Sequence, residues 1–334
     1  MTRRFLSGLI VSATITAAGC GGESPSAPIA PTTPTAMGQS QGAFYLTRIV
    51  DLMQTNSVNR ERIDWADFRV RVSGAAAEAQ TIGDTYGAIR IALGLLDDRH
   101  SFYTRADGTV IPNPSSPADC GVTLVGEPAL PPDIGYVRVD RFAGTAGQEQ
   151  FALAIQQAIR DRDTPSLAGW IVDLRGNSGG NMWPMLAGVG PVLGMGTAGY
   201  FVGPSGTTPF GYDTRGSIVG GSVAVSVMPT YDLKRPNPRV AVLTDRRVAS
   251  SGEAIAIAFR RRPDSRSFGT PTCGVPTANT GYSLSDGAVL QLTTGLDADR
   301  SLITYDSAVV PDEIIDDPSQ VVQRAIAWVR SGGV

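Results

Sequence analysis

A serine at residue 250 is the strongest candidate for a nucleophile in this 334-residue chain. It lies in the segment Ala-Ser-Ser-Gly-Glu (249–253), between an apolar run at 240–244 and an Ala- and Ile-rich run at 254–259. This order predicts a buried strand, a tight turn and a helix, so the turn exposes the Ser250 hydroxyl at a helix N-terminus. Ser250 and Glu253 also have the spacing of a capping box, and the two roles are compatible.

The candidate base follows from how few basic side chains can serve as one. The chain has a single histidine, His100, and a single lysine, Lys234. A hydroxyl nucleophile needs a base that is neutral near pH 7, which favours His100. A lone histidine more often has no catalytic role. Here it follows a predicted helix in the segment Asp-Asp-Arg-His-Ser (97–101), which places the imidazole on a loop among acids.

A glycine pair supplies the third element. The segment Asp-Leu-Arg-Gly-Asn-Ser-Gly-Gly-Asn (173–181) joins another apolar run to a predicted helix. Glycines at a strand-to-helix turn let backbone N–H groups face one point, as an oxyanion hole requires. We assign its donors to Ser251 and to either Gly179 or Gly180. The alternative is an ordinary tight turn. A phosphate loop is excluded because no Gly-Lys-Ser/Thr follows.

In chain order, the segments 96–101, 171–180 and 249–253, followed by Pro311-Asp312, resemble those of the tail-specific (C-terminal-processing) serine peptidases. The resemblance extends from about residue 42 to the C-terminus. It implies a crotonase- and ClpP-like α/β fold with an N-terminal helical cap. It also implies a serine-type peptidase with Ser250 as its nucleophile.

Two features depart from the family pattern. Many members carry a PDZ domain before the first core strand, whereas only 30 residues separate Tyr103 from Ile134 here. The family's catalytic lysine would lie 25 residues after the serine, where this chain has Val275, and Lys234 precedes the serine. The pattern therefore resembles the tricorn-core branch, in which a histidine from the N-terminal part is the base. That resemblance implies His100.

The group that orients His100 is the least determined part of the predicted site. We predict Asp306, which lies near the C-terminus before Pro311. Glu313 and Asp98 are the alternatives.

The elements that must position these residues fall into three parts. Apolar residues at helical spacing predict a small helical domain over residues 42–105. Residues 106–133 are rich in Pro and Gly and predict a loop. In residues 134–334, apolar runs alternate with helical patterns, which predicts an α/β core around a mixed or mostly parallel sheet. Gly-rich segments between 198 and 228 predict one or two hairpins.

The N-terminus predicts export. Residues 1–19 have the positive start and apolar stretch of a signal peptide. Ala-Ala-Gly-Cys at 17–20 resembles a lipobox, which implies a diacylglycerol on Cys20; a plain signal peptide is the alternative. The nearly uncharged, Pro- and Ser-rich residues of the 20–41 segment predict a flexible linker. Gly21 is not an inner-membrane retention signal, so in a cell with two membranes we favour the outer one.

Composition gives no indication of a nucleic acid, a metal or a cofactor as a partner. The net charge is −3 and the basic residues are not clustered, so nothing indicates nucleic acid binding. No spacing of Cys, His and acids predicts a metal site, and we expect no cofactor. Cys120 and Cys273 can pair in an oxidising envelope compartment, or remain as buried thiols.

The resulting prediction is a lipid-anchored serine peptidase that cleaves peptides or proteins near their C-termini. Arg175 or Arg247 would then bind the terminal carboxylate. The main alternative is a non-catalytic envelope lipoprotein that binds peptides or apolar ligands on the same fold. A crotonase-like enzyme acting on thioesters is disfavoured, because acyl-CoA is cytoplasmic and this chain is predicted to be exported.

Overall fold

The computed structural model describes residues 40–117, 120 and 126–332. The predicted signal peptide, Cys20 and nearly all of the predicted linker lie outside these residues. The described residues from Ser40 onward form one compact unit of mixed α/β structure. Within this part of the chain, no helix has the length and apolar character needed to cross a membrane.

The N-terminal part is helical, as predicted. It contains α1 (Gln41–Asn56), α2 (Trp65–Gly74) and α3 (Tyr86–Leu95), with a single 3₁₀ turn before α3. The side chains of Ser40 and Asp64 accept backbone N–H bonds at the starts of α1 and α2, so each helix begins at a capping residue.

An antiparallel nine-stranded sheet packs against these helices. Its strands in chain order are β1 (Phe102–Thr104), β2 (Val110–Pro112), β5 (Gly196–Gly203), β6 (Gly206–Asp213), β7 (Gly216–Val219), β8 (Ser222–Ser226), β11 (Thr277–Ser283), β12 (Val289–Ala298) and β13 (Thr304–Tyr305). The long strand β12 pairs with β1, β5, β11 and β13. The predicted hairpins between 198 and 228 are therefore present as β5–β8.

A second sheet is parallel and has five strands in the order β14-β10-β9-β4-β3. They are β3 (Ile134–Arg138), β4 (Gly169–Asp173), β9 (Val240–Thr244), β10 (Ser265–Gly269) and β14 (Glu313–Ile314). β4 and β9 are buried at every residue, which explains their continuous apolar sequences. The helices of this region are α4 (Gln148–Arg162), α5 (Met182–Leu193), α6 (Ser251–Ala258) and α7 (Pro318–Arg330).

Two details differ from the predicted organisation. β2 lies within the stretch 106–133 that was predicted as a loop, because its backbone pairs with β1 although its sequence is Pro-containing and exposed. The N-terminal helices also share one apolar core with the large sheet, through Tyr103, Leu290 and Leu292. Their apolar faces are thus buried against β1 and β12 as well as against each other.

Candidate active site

A cleft of about 1130 Å³ is lined by strands of the nine-stranded sheet and by the turns that follow β4 and β9, and both His100 and Ser250 line it. His100 reaches it from the loop between α3 and β1. Ser250 reaches it from the turn between β9 and α6. Trp183 and Phe201 form part of an apolar wall, with their rings edge to face at 6.0 Å between centroids. His100 and Ser250, 150 positions apart in sequence, therefore line the same cleft.

Ser250 has an unusual backbone conformation. Its φ is 52° and its ψ is −120°, in a region that residues other than glycine rarely adopt. Such strain is retained only where the surrounding structure holds it in place, and it is typical of a nucleophile on a sharp strand-to-helix turn. Ser250 is the residue before α6, so the first N–H groups of that helix are next to its side chain.

Glu253 holds this turn in place. Its buried carboxylate accepts four hydrogen bonds: from the N–H of Ser250 (2.7 Å), the hydroxyl of Thr272 (2.5 Å), and the N–H groups of Gly274 (2.8 Å) and Val275 (3.0 Å). Burial raises the pKa of Glu253, while these bonds act in the opposite direction by favouring the anion. The side chain connects the nucleophile turn to residues 272–275.

The glycine loop is packed directly against the serine. A Cβ atom on Gly179 would lie 2.6 Å from the carbonyl oxygen of Ala249 and 3.0 Å from Cβ of Ser250, and its φ is +89°. Glycine is therefore required there by space and by backbone conformation. The N–H of Gly179 donates to Oδ1 of Asn177 at 2.9 Å, whereas Gly180 lines the cleft. The N–H of Gly179 is thus engaged within the loop itself.

Asn177 joins the two loops. Its backbone carbonyl accepts from the N–H of Ala249 (3.0 Å), and its side-chain amide donates to the carbonyl of Val139 (2.9 Å). Gly252 lies so close that an added Cβ would be 2.5 Å from the Asn177 carbonyl oxygen. The loop with the glycine pair and the turn with Ser250 are therefore held together as one unit.

His100 is fixed by contacts to its backbone and its ring. Oδ1 of Asp98 accepts its N–H at 3.0 Å, and the side-chain amide of Asn279 donates to its carbonyl at 3.1 Å. On the ring, Nδ1 lies 2.6 Å from Oγ1 of Thr277 on β11. When Nδ1 donates its proton to that hydroxyl, Nε2 is left unprotonated, which is the tautomer that a general base needs.

The environment of His100 also sets its charge. Desolvation lowers the pKa of His100 to about 4, because burial disfavours the imidazolium. The imidazole is consequently neutral at pH 7. A neutral ring can accept a proton from a hydroxyl, so the residue has the protonation state required of a base.

Comparison with known proteins identifies the family of this chain. Residues 133–314, more than half of the chain, match the sequence profile of Peptidase family S41. The chain belongs to Peptidase family S41. It is accordingly a serine-type peptidase, as predicted, and its substrate is a peptide or protein.

Individual relatives of this S41 peptidase cover most of its length. The nisin-resistance protein of Lactococcus lactis subsp. lactis is 25% identical over 275 residues, which are 80% of each chain. A lipoprotein from Streptococcus agalactiae has a TM-score of 0.69 at 22% identity and covers 89% of this chain and 98% of its own. The photosystem II D1 C-terminal processing protease has a TM-score of 0.55 at 18% identity, covering 84% and 96%. The two structures show a shared fold.

The structure does not bring Asp306 to the histidine of this S41 peptidase. Asp306 is exposed after β13 and is not part of the cleft lining, whereas Thr277 contacts Nδ1 of His100. This corrects the sequence-based choice. Of the alternatives, Glu313 pairs with Arg324 and Arg266. Asp98 binds the backbone N–H groups of His100 and Ser101 rather than the imidazole.

The two arginines predicted to bind a substrate carboxylate also lie elsewhere. Arg175 is buried and forms a two-pronged ion pair with Asp173, with Nε–Oδ1 and Nη2–Oδ2 distances of 2.9 and 2.6 Å. Neither Arg175 nor Arg247 lines the cleft. The prediction was wrong for Arg175, because its guanidinium is committed to an internal carboxylate.

Lys234 and the cysteines Cys120 and Cys273 are outside the cleft lining. Nζ of Lys234 donates to the carbonyl of Asp163 at 2.7 Å. Cys120 and Cys273 form a disulfide that spans 153 residues, and Cys273 adjoins the segment that binds Glu253. Among the described residues, no group of three or more His, Cys, Asp or Glu side chains is arranged to hold a metal.

Sequence reasoning missed Thr277, Asn279 and Asp297, which all line the cleft. The signal for Thr277 and Asn279 was weak, because single polar residues in an alternating strand look like ordinary solvent-facing positions. Asp297 could have been noticed as an acid inside a largely apolar strand, Val-Leu-Gln-Leu-Thr-Thr-Gly-Leu-Asp-Ala (289–298). Such a position is unusual for a charged side chain.

Proposed function

We propose that this S41 peptidase cleaves peptide bonds through an acyl-enzyme, with Ser250 as nucleophile and His100 as general base. The observation that carries the proposal is the cleft itself. It brings together a strained serine at a helix N-terminus and a neutral histidine whose Nδ1 is engaged by Thr277. Val275, in place of the family lysine, contributes its backbone N–H to Glu253.

The first half of the reaction forms the acyl-enzyme. Oγ of Ser250 attacks the peptide carbonyl carbon and its proton passes to Nε2 of His100. The oxyanion is stabilised by the N–H groups of Ser251 and Gly180, at the positive end of α6. The C–N bond then breaks and the proton on His100 moves to the departing amine. Removing one oxyanion donor typically costs about 10²–10³ in turnover.

The second half releases the product. Water attacks the ester carbonyl, its proton passes to Nε2 of His100, and the C–O bond to Ser250 breaks as the hydroxyl is re-formed. Thr277 keeps the imidazole oriented through both halves, because its hydroxyl oxygen accepts a hydrogen bond from the Nδ1–H of His100. In this proposal it has the orienting role that the sequence had suggested for Asp306.

We also propose the setting of the enzyme. The N-terminal sequence supports export with lipidation at Cys20, which would attach the peptidase to the cell envelope, with the outer membrane favoured where two membranes exist. The name of the Lactococcus relative associates that protein with nisin resistance, which supports a peptide substrate met at the envelope. We further propose that the core is of the crotonase/ClpP-like type and that cleavage takes place near C-termini.

The proposal is tested with a serine-directed fluorophosphonate probe. Wild type is expected to be labelled, and Ser250→Ala to lose labelling while it keeps its thermal unfolding midpoint. Ser73→Ala, at an exposed position on α2, serves as a control that keeps Ser250. His100→Ala should slow labelling by about 10²–10⁴-fold, the usual contribution of a general base. Undiminished labelling of Ser250→Ala would contradict the assignment of the nucleophile.

A further inference from the structure

Asp297 is a buried acid on the wall of the catalytic cleft. It lies near the end of β12, its side chain is 1% exposed, and it belongs to the cleft lining with His100 and Ser250. Neither of its carboxyl oxygens has a hydrogen-bond partner in the part of the chain that the structure describes. Its backbone N–H donates to the carbonyl of Pro276 at 3.0 Å, so its position in the strand is fixed.

Among the buried acids that the structure describes, Asp297 alone lacks hydrogen-bond partners for its carboxyl. Glu253, also buried, accepts four hydrogen bonds. Asp299, two residues after Asp297 and equally buried, accepts from the N–H groups of Ser301 and Ile303 and from the Tyr305 hydroxyl. Burying a carboxylate without such donors is unfavourable. A buried polar group left without a partner typically lowers the free energy of unfolding by about 1–3 kcal/mol.

Electrostatics decide which kind of partner would relieve this cost. Burial raises the pKa of Asp297 well above its usual range, and the nearby negative charge of Glu253 acts in the same direction. Among the described residues that line the cleft, Asp297 is the one carboxyl, and none is a lysine or an arginine. Both effects disfavour the Asp297 anion, and a cation beside the carboxyl would offset both, which a neutral amide would not.

Since no lysine or arginine among the described lining residues supplies a cation, the bound peptide is the source that remains. We propose that Asp297 binds the ammonium or guanidinium of a basic side chain in the peptide substrate. The inference rests on the proposed function and specifies its substrate class: peptides with a lysine or arginine close to the cleaved bond. A lone carboxylate at the wall of an otherwise uncharged cleft discriminates strongly, because a neutral side chain leaves it unpaired.

The experiment compares pairs of quenched fluorescent peptides that differ only in lysine or norleucine at one position, scanned across the positions flanking the cleaved bond. Norleucine keeps the apolar stem and removes the ammonium. Wild type is compared with Asp297→Asn. The control is Asp213→Asn, which removes a carboxylate that pairs with Arg215 at the turn between β6 and β7, outside the cleft lining.

At one position, wild type is expected to favour lysine over norleucine by about 30-fold or more in kcat/KM, from the usual cost of leaving one member of a buried charge pair unpaired. In Asp297→Asn this ratio should fall to within a few-fold of unity, and in Asp213→Asn it should be unchanged. Should wild type show no preference for lysine at any position, the inference is wrong, whether or not the variant folds.

A binding measurement separates this inference from the proposed mechanism. Calorimetry on Ser250→Ala, with and without Asp297→Asn, measures the affinity for the same lysine and norleucine peptides without turnover. A lysine preference that depends on Asp297, together with no cleavage by wild type, would contradict the mechanism alone. Cleavage without a lysine preference would contradict the inference alone. Equal loss of norleucine and lysine cleavage in Asp297→Asn would mean that Asp297 acts on the catalytic groups instead.

Discussion

Oγ1 of Thr277 lies 2.6 Å from Nδ1 of His100, although the two residues are 177 positions apart in the sequence. The contact links the loop after α3 to strand β11, and it is the one hydrogen bond made by the imidazole within the described residues. In serine hydrolases this position is often occupied by a carboxylate, which holds the ring and stabilises the imidazolium. A hydroxyl holds the ring but stabilises the cation less.

Thr277→Val should therefore reduce acylation without unfolding the protein. Valine keeps the shape of threonine and removes the oxygen that fixes Nδ1. We expect the fluorophosphonate labelling rate to fall by about tenfold, corresponding to one hydrogen bond of roughly 1.5 kcal/mol. Thr47→Val, on the exposed side of α1, is the control. An unchanged rate in Thr277→Val would show that the ring is positioned by other contacts.

The pH dependence of acylation should reflect the lowered pKa of His100. In kcat/KM the acid-side midpoint reports the base of the free enzyme. Because desolvation lowers this pKa from 6.5 to about 4, labelling should remain near its maximum at pH 6 and decline only toward pH 4. The measurement is the labelling rate from pH 4 to pH 8, with folding followed by circular dichroism. A midpoint at or above 6.5 would contradict the prediction.

The lowered pKa of His100 also makes the free energy of unfolding depend on pH. In the unfolded chain His100 takes up a proton near pH 6.5, whereas in the folded chain it does so only near pH 4. Between these values the unfolded state binds more protons, so stability decreases as the pH falls through this window. His100→Gln should remove that part of the pH dependence. Urea unfolding of both proteins at pH 7 and pH 5 measures it.

Glu253→Gln should destabilise the site. Its carboxylate accepts four hydrogen bonds, and a glutamine would replace one accepting oxygen by an amide that faces donors. We expect the free energy of unfolding to fall by about 2–3 kcal/mol and labelling of Ser250 to slow. Glu78→Gln, an exposed position, should change stability by less than about 0.5 kcal/mol. Equal stability of the two variants in urea unfolding would refute this role of Glu253.

The disulfide should stabilise both the fold and the site. Its 153-residue separation means that it restricts a large part of the unfolded chain. Replacing both Cys120 and Cys273 by serine should lower the free energy of unfolding by about 2–5 kcal/mol. Because Cys273 lies between Thr272 and Gly274, both donors to Glu253, labelling should also slow. A reductant should reproduce these effects in wild type and leave the double variant unaffected.

The sequence predicted the elements that carry the chemistry better than the contacts between them. β4 and β9 were recognisable because strands buried on both faces of a parallel sheet have uninterrupted apolar sequences. The turns that follow them end in Gly179-Gly180 and in Ser250-Ser251, so two parts of the site were visible as local patterns. Local spacing is what a single sequence records most directly.

Contacts between distant strands could not be predicted in the same way. Asp306 and Asp297 are both acids near the C-terminal end, and nothing local distinguishes them. Pairing of β12 with β5, β11 and β13 buries Asp297, whereas Asp306 lies past the end of β13 and is exposed. Thr277 likewise depends on the register of β11 with β12, which a single sequence does not specify.

Strand β12 has a consequence for recombination among S41 peptidases. Near one end, Leu290 and Leu292 are embedded in the apolar core of the N-terminal helices, and near the other end Asp297 faces the cleft. β12 thus contributes both to the apolar core of the N-terminal helices and to the catalytic cleft. In a chimera that takes only residues 40–96 from another S41 peptidase, the foreign helices would pack against the native β12. The smallest exchangeable module includes β1 and residues 288–292 as well.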